Sequence, residues 1–449
     1  MEQIPDAASS LLHYADVKRR AIASRCYRTK VSSSNGQTFS PSQVINIDLP
    51  SNVANTYFDM SQSYLLMTVN NTAAAANTLG FAGNSGAYSL IDRVQCITGG
   101  STISDIQQYN VLADALMTQN VSRDWNINVG SEMIGTLTTG SAYKGAVIAG
   151  GASMTVALPF MLTALANTTP TRYIPAFSRD MLRFRFYLAN TVQGVIGVAA
   201  GAPTFTVSSV EAVIYCVELS PDAQELVSAM CGNVYNILCN DFRTSNSTFT
   251  GAAAALTHTA TLGFSVSSME RLIIVHRNNA TITQNSNSIG ARSTASLAEF
   301  QVLINGQSYP ERPILAGGET SGAELQCSNA EALAEGLVAQ HALADFGHDS
   351  QFAMAAGTTG AVKYGLVNSD GSSPGNTGTF VASVELESMA GKSSSIYSGI
   401  STIGAVVMYR GVYTTPAAVT YDLSFFCQST ILLTLDMSPS GLGTYVVSV

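Results

Sequence analysis

Along much of the chain, apolar and polar residues alternate. MLRFRFYLA (Met181–Ala189) sets Leu182, Phe184, Phe186 and Leu188 on one side and Arg183, Arg185 and Tyr187 on the other. A period of two over a full strand length predicts a strand with one face buried and one wet. QVINIDLP (Gln43–Pro50) does the same with Ile45, Ile47 and Leu49 against Asn46 and Asp48, then closes on a proline. Further strands are predicted at Ser63–Asn70, Ser209–Leu219, Glu270–Asn278, Glu299–Gly306, Thr379–Glu387, Ala405–Tyr413 and Tyr421–Asp436. Many strands separated by Gly, Pro and Asn argue for sandwiches or barrels.

Helical periodicity is confined to three places. Asp105–Gln119 carries Ile106, Tyr109, Leu112, Ala113 and Leu116 at helical spacing. Ser328–Phe346 is rich in Ala and Leu, with Ser328 or Asn329 as its cap. Ser220–Met230 has Ser220 as N-cap, Pro221 in the first turn, and Leu226 and Val227 as its apolar stripe. One hairpin pattern occurs twice. DRVQCITGGSTI (Asp92–Ile103) turns on Gly-Gly, and EFQVLINGQSYPERPIL (Glu299–Leu315) turns on Asn305-Gly306, which suits a type I′ turn. Each is followed by one of the helices and then by a stretch poor in structure signals, Asp124–Gly151 and Gly347–Thr379. The order of elements, rather than matched letters, predicts two similar β domains in tandem, with the Ser220 helix between them.

Composition sharpens this. A chain of 449 residues is long enough for two cores. Only 11% of residues are charged, against about 25% in typical soluble proteins. Ser, Thr, Asn, Gly and Ala take their place, which suits a surface that mostly meets other protein. The net charge is −9 and unevenly spread. Met1–Lys30 holds Lys18, Arg19, Arg20, Arg25, Arg28 and Lys30 against Glu2, Asp6 and Asp16, so a basic arm precedes an acidic body. The seven cysteines are odd in number and none is spaced C-x-x-C, which predicts buried free thiols in a reducing compartment. The polar N-terminus has no apolar stretch of the signal-peptide kind. The uncharged run Gly145–Thr171 contains Pro159 and Pro170 and reads as a strand with loops rather than a membrane helix.

INIDLPSNVANTYFDMSQSYLLMTVN, SLIDRVQCITGGSTISDIQQYNVLADAL, VSSVEAVIYCVELSPDA and ERLIIVHRNNATI…SLAEFQVLINGQSYPERPI follow one another in that order. In order and spacing this resembles the double jelly-roll major capsid proteins of adenoviruses, tailless membrane-containing phages, polinton-like viruses and virophages. The resemblance runs from Val44 to the C-terminus; the short chain and small loops depart from members that carry large surface towers. It implies an all-β fold of two tandem eight-stranded jelly rolls with a few short helices. Residues 1–43 would be the basic arm and lead-in, 44–231 the first jelly roll with its connector helix, and 232–449 the second. It further implies a non-enzymatic shell protein of an icosahedral DNA virus, assembled inside the host cell and located in the virion. Three chains would form a pseudo-hexagonal capsomer. The partners would be itself, neighbouring capsomers, penton and minor capsid proteins, and the packaged genome or an inner membrane without sequence specificity.

The residues themselves offer little chemistry. His13, His258, His276, His341 and His348 form no H-E-x-x-H and lie near no Cys pair, so no metal site is predicted. No Gly-rich loop carries the phosphate-binding lysine, GNSGAY is not a nucleophile elbow, and no cofactor or catalytic residue is expected. Glu385 and Glu387 would share one strand face; a solvated face is the simpler reading than a glycosidase pair. Three readings of the basic arm stay open: neutralising packaged nucleic acid, lying on an anionic membrane, or ordering against neighbouring subunits. No aromatic ladder accompanies it for base stacking. Two rival classes are a secreted or surface carbohydrate-binding β-sandwich and a fibre or surface-layer subunit. The single Trp125, the odd cysteine count and the absent signal peptide weigh against the first.

Overall fold

A computed structural model describes residues 24–74, 77–81, 85–121, 125–136, 148–168, 171–197, 204–252, 254–279, 289, 292, 295–316, 330–339, 381–386, 399–414, 416–439 and 441–448. Sixteen strands carry the architecture, in two sets of eight. The first set is β1 (Ser24–Ser32), β2 (Val44–Asp48), β3 (Thr56–Asn71), β4 (Ile91–Thr98), β5 (Ser101–Gln107), β6 (Ser153–Pro159), β7 (Leu182–Leu188) and β8 (Phe205–Leu219). The second is β9 (Val234–Thr250), β10 (Leu256–Leu262), β11 (Met269–Asn278), β12 (Leu297–Ile304), β13 (Gln307–Leu315), β14 (Ala382–Glu385), β15 (Val407–Tyr413) and β16 (Thr420–Asp436). One sheet of the first set runs β1-β8-β3-β6 and the other β2-β7-β4-β5. The second set repeats both orders as β9-β16-β11-β14 and β10-β15-β12-β13. Counted within its set, each unit is 1-8-3-6 packed on 2-7-4-5. Two antiparallel sheets in that order form a jelly roll, so the chain is two eight-stranded jelly rolls in tandem.

The first strand corrects the sequence reading. Residues 24–30 were assigned to an arm ahead of the first jelly roll, but β1 pairs with β8 from Ser24↔Leu219 to Ser32↔Glu211 and is the first of the eight strands. SRCYRTKVS has no buried side chain, and a charged edge strand leaves no hydrophobic alternation to read. The predicted helix at Asp105–Gln119 is also divided. Asp105–Gln107 completes β5, Gln108 breaks the strand at φ +51°, and helix α1 is Tyr109–Asn120. The connector α2 spans Pro221–Cys231 with Ser220 Oγ accepting from Ala223 N, as expected. Its stripe is not as expected: Val227 packs on the core, but Leu226 is 63% exposed. Helix α3 is Ala330–Ala339; its expected cap residues Ser328 and Asn329 and the stretch Gly347–Thr379 lie outside the described residues. The stretch Asp124–Gly151, read as structure-poor, contains helical turns over Asn126–Gly130 and Ser131–Ile134.

Inside the first sandwich, Leu182, Phe184, Phe186 and Leu188 of β7 lie beside Ile45 and Ile47 of the adjacent β2, and with Leu49 they enter one core. Phe160 stacks on Phe184 with ring centroids 5.2 Å apart. Each such side chain contributes about 1.5–3 kcal/mol by burial. The wet face of β7 is a polar ladder. Arg183 pairs with Asp48, Arg93 with Asp105, and Tyr187 donates to Gln95 Oε1 at 2.8 Å.

The sheet β9-β16-β11-β14 has no wet face along much of its length. On β11, Leu272 and Ile274 enter the core of the second sandwich, while Ile273 and Val275 enter the core shared with the first. On β16, Leu423, Phe425 and Cys427 go one way, and Phe426, Ile431, Leu433 and Leu435 the other. A strand buried on both faces loses its alternation, as in LSFFCQSTI (Leu423–Ile431), which is buried at every position.

Both duplicated turns need the left-handed region. Gly99 and Gly100 have φ +50° and +93°; Asn305 and Gly306 have +50° and +80°, as a type I′ turn requires. A Cβ at Gly306 would meet nothing within 4 Å, so a substitution there reports backbone cost alone. Gly306→Val is expected to destabilise by about 1–3 kcal/mol. A denaturant midpoint equal to that of the parent would show that this strain is absent.

Candidate functional site

The candidate site residues do not converge on one spot. Lys18, Arg19 and Arg20 lie outside the described residues. Arg25, Arg28 and Lys30 all lie on β1, held in register by its ladder to β8. Alternation puts Arg28 and Lys30 on one face of the strand and Arg25 on the other, with Tyr27 and Val31 turned toward the core. Arg25 Nη2 lies 2.8 Å from Glu218 and Lys30 Nζ 3.0 Å from Glu211, both on β8. The Arg28 guanidinium sits over the Tyr215 ring at 5.9 Å. Two of these cations are therefore spent on a neighbouring strand. Such exposed pairs each contribute about 0–1 kcal/mol, and what they set is register and edge character.

The other candidates resolve into structure. His276 is fully buried, its Nε2 2.9 Å from Tyr413 Oη, and burial holds it down at about 3. His258 stacks on Phe249 and lies 3.1 Å from Ser247 Oγ. His13, His341, His348 and Glu387, the expected partner of Glu385 on its strand face, lie outside the described residues. No cluster of metal-ligating side chains occurs among the described residues. Cys96, Cys216, Cys239 and Cys427 are buried free thiols, as expected, but Cys26 and Cys231 are exposed. Cys26 is on the edge strand and Cys231 ends α2, where no described residue covers them.

Sequence reasoning missed the charges between the two units. Asp114 on α1 and Arg292 form an ion pair at 3.0 Å with 0% and 1% of their side chains exposed. Asp241 on β9 accepts from Ser104 Oγ of β5 at 2.5 Å, and burial pushes its carboxyl up to about 6. Thr244 Oγ1 donates to Gln107 O at 2.9 Å, Ser424 Oγ to Gln108 Oε1 at 2.6 Å, and Tyr445 Oη to Pro175 O at 2.5 Å. The available signal was a lone charge inside an apolar run: Asp114 in NVLADALM, Arg277 in LIIVHRN, Asp241 in ILCNDF. A charge flanked by apolar residues on a strand or helix has a buried partner or a cost.

No family model matches the chain, and no curated protein sequence matches it. Solved structures do match. The PBCV-1 VP54 structure, fitted into a reconstruction of the virophage Sputnik, aligns with a TM-score of 0.60 at 13% identity over 96% of this chain and 98% of that one. The Faustovirus major capsid protein aligns at 0.60 and 8% identity, covering 93% and 91%. The mavirus major capsid protein aligns at 0.53 and 12% identity, covering 100% and 95%. The chain has the double jelly-roll fold of these proteins from end to end.

Two expectations follow. A chain beginning at Val31 should melt below one beginning at Ser24, because it lacks most of the β1 ladder; equal melting would make β1 dispensable. The second concerns acid. Asp241, at about 6 when folded against an ordinary 3.8, keeps a proton the unfolded chain releases, so falling pH through that window stabilises. His276, at about 3 against an ordinary 6.5, refuses a proton the unfolded chain takes up, so falling pH below 6.5 destabilises. The two oppose each other. Asp241→Asn should therefore lose stability more steeply than the parent between pH 6.5 and 4 in urea titrations. Parallel curves would sink this account.

Proposed function

We propose that this chain is a major capsid protein, a non-enzymatic subunit of an icosahedral viral shell. The observation that carries the reading is the repeated 1-8-3-6 and 2-7-4-5 strand order, matched over nearly the whole length of both chains to proteins named as major capsid proteins. The physics supports it. Two similar units in one chain, taken three at a time around an axis, offer six similar flanks, which suits close packing with six neighbours. The surface carries few charges, and Leu226, Met230, Ile403 and Leu442 stand 61–79% exposed on the single chain. A surface poor in charge suits contacts with further copies, whereas apolar side chains exposed singly are ordinary on any surface.

The partners in this reading are the chain itself as a homotrimer, neighbouring capsomers, and penton and minor capsid proteins. The cations ahead of β1, Lys18, Arg19 and Arg20, would serve the genome or an inner membrane without reading sequence. The virion shell, assembled in the host cell, is its location.

Native mass measurement of the purified chain should give a trimer or larger particles, and electron microscopy should show blocks of roughly hexagonal outline. A stable monomer at micromolar concentration would count decisively against the reading.

A further inference from the structure

Where β5 gives way to α1, the chain turns at Gln108, whose side chain does not cap the helix. Its Oε1 accepts from Ser424 Oγ across the seam instead. Val111 N and Leu112 N both reach Gln108 O, and Val111 N also reaches Asn110 Oδ1. The first helical N–H groups, those of Tyr109 and Asn110, have no backbone acceptor among the described residues, as at any uncapped helix start. This first turn borders a cleft of about 340 Å³ between the two units, lined also by Asp92, Asn246 and Arg277.

Arg277 is the independent observation. It is 5% exposed and makes no ion pair among the described residues. Its Nη2 lies 3.4 Å from Ser424 Oγ, a long contact, and its Nε has no hydrogen-bond partner. A guanidinium so far from water is costly to desolvate, and one long hydrogen bond does not offset that. Burial lowers its proton affinity, and the fields of Asp422 and Asp92 pull the other way.

We propose that this cleft binds a small oxyanion, held between the N-terminal turn of α1 and the Arg277 guanidinium and so bridging the two jelly rolls. The helix start supplies N–H donors and the positive end of its dipole. Arg277 supplies charge-assisted hydrogen bonds from a guanidinium whose Nε has no partner among the described residues. The Gln108 and Asn246 amides on the walls add neutral donors. Asp92 on the same wall opposes the anion and sets its affinity. The site does not depend on the capsid reading.

Sulfate tests it, because sulfate does not titrate near neutral pH. Thermal unfolding of the full chain is followed with sulfate against chloride at matched ionic strength. Sulfate should raise the melting temperature saturably. Arg277→Gln should weaken apparent binding about tenfold or abolish it, as loss of a charge-assisted contact would. Asp92→Asn should tighten it. If Arg277→Gln does not fold, Asn246→Asp, which places a carboxylate on the wall, should remove the sulfate effect on its own. Inorganic phosphate and a short single-stranded oligonucleotide identify the source. Protection by phosphate alone assigns a free ion; protection by the oligonucleotide that is lost in the same variants assigns a polymer's phosphate. No saturable sulfate effect, or the same effect in every variant, overturns the proposal.

Discussion

The sheet β9-β16-β11-β14 is what the rest of the molecule rests on, because it is buried on both faces. One face closes the second sandwich and the other closes the core of the first. Interfaces between domains of one chain are usually modest and polar, and relative motion is the default. Here Ile273, Val275, Phe426, Ile431, Leu433 and Leu435 would all be bared if the units separated. Each such side chain costs about 1.5–3 kcal/mol to expose, so the two jelly rolls behave as one block. In the proposed capsid role, such a rigid two-unit block would keep its two flanks at a fixed spacing.

The same burial explains where the charges went. With so few Asp, Glu, Lys and Arg in the chain, it is notable that Asp114, Arg292, Asp241 and Arg277 all sit in or beside the seam. A buried ion pair such as Asp114–Arg292 adds little net stability over an apolar pair, but removing one partner alone costs about 3–5 kcal/mol. Such a pair penalises wrong dockings of one unit on the other far more than it rewards the right one. Apolar faces alone would slide; the carboxylate of α1 and the guanidinium of the second unit set the register between them.

How much of this could be read from the letters follows burial on one face or two. The half-wet strands β2 and β7 alternate cleanly and were placed to within a residue or two at each end. The Asn305-Gly306 turn was legible because only certain residues accept positive φ at both positions. β1 was invisible as a strand because neither of its faces is buried, and its cations read as an arm. β9 went unread for a different reason: NILCNDFRTSNSTFT mixes an apolar stretch with a polar one, and its order is imposed by seventeen residues of pairing with β16. The seam charges stand out locally only as lone charges in apolar runs; their partners, more than a hundred residues away, leave no local trace. Asp241 meets Ser104, and Ser424 meets Gln108, only once both units exist.

An open sandwich has edges, and edges are where copies of a β protein fuse wrongly. β1 presents Arg25, Arg28 and Lys30 along its length, and β13 carries Pro310 and Pro313 at the end of its sheet. Charges make a further strand unwelcome, and prolines remove the N–H groups it would need. The basic character of the N-terminal segment is thus explained in part without any nucleic acid: on β1 it keeps an edge single while its acidic neighbours Glu211 and Glu218 hold it in register. With strand addition discouraged at these two edges, any contact with a further copy there would fall to side chains. In a chain this poor in charge, those contacts fall to short-range packing and hydrogen bonding, which screen little with salt and demand close shape fit. If the chain is the shell subunit proposed, that is the regime in which one shape, repeated, determines curvature and closure.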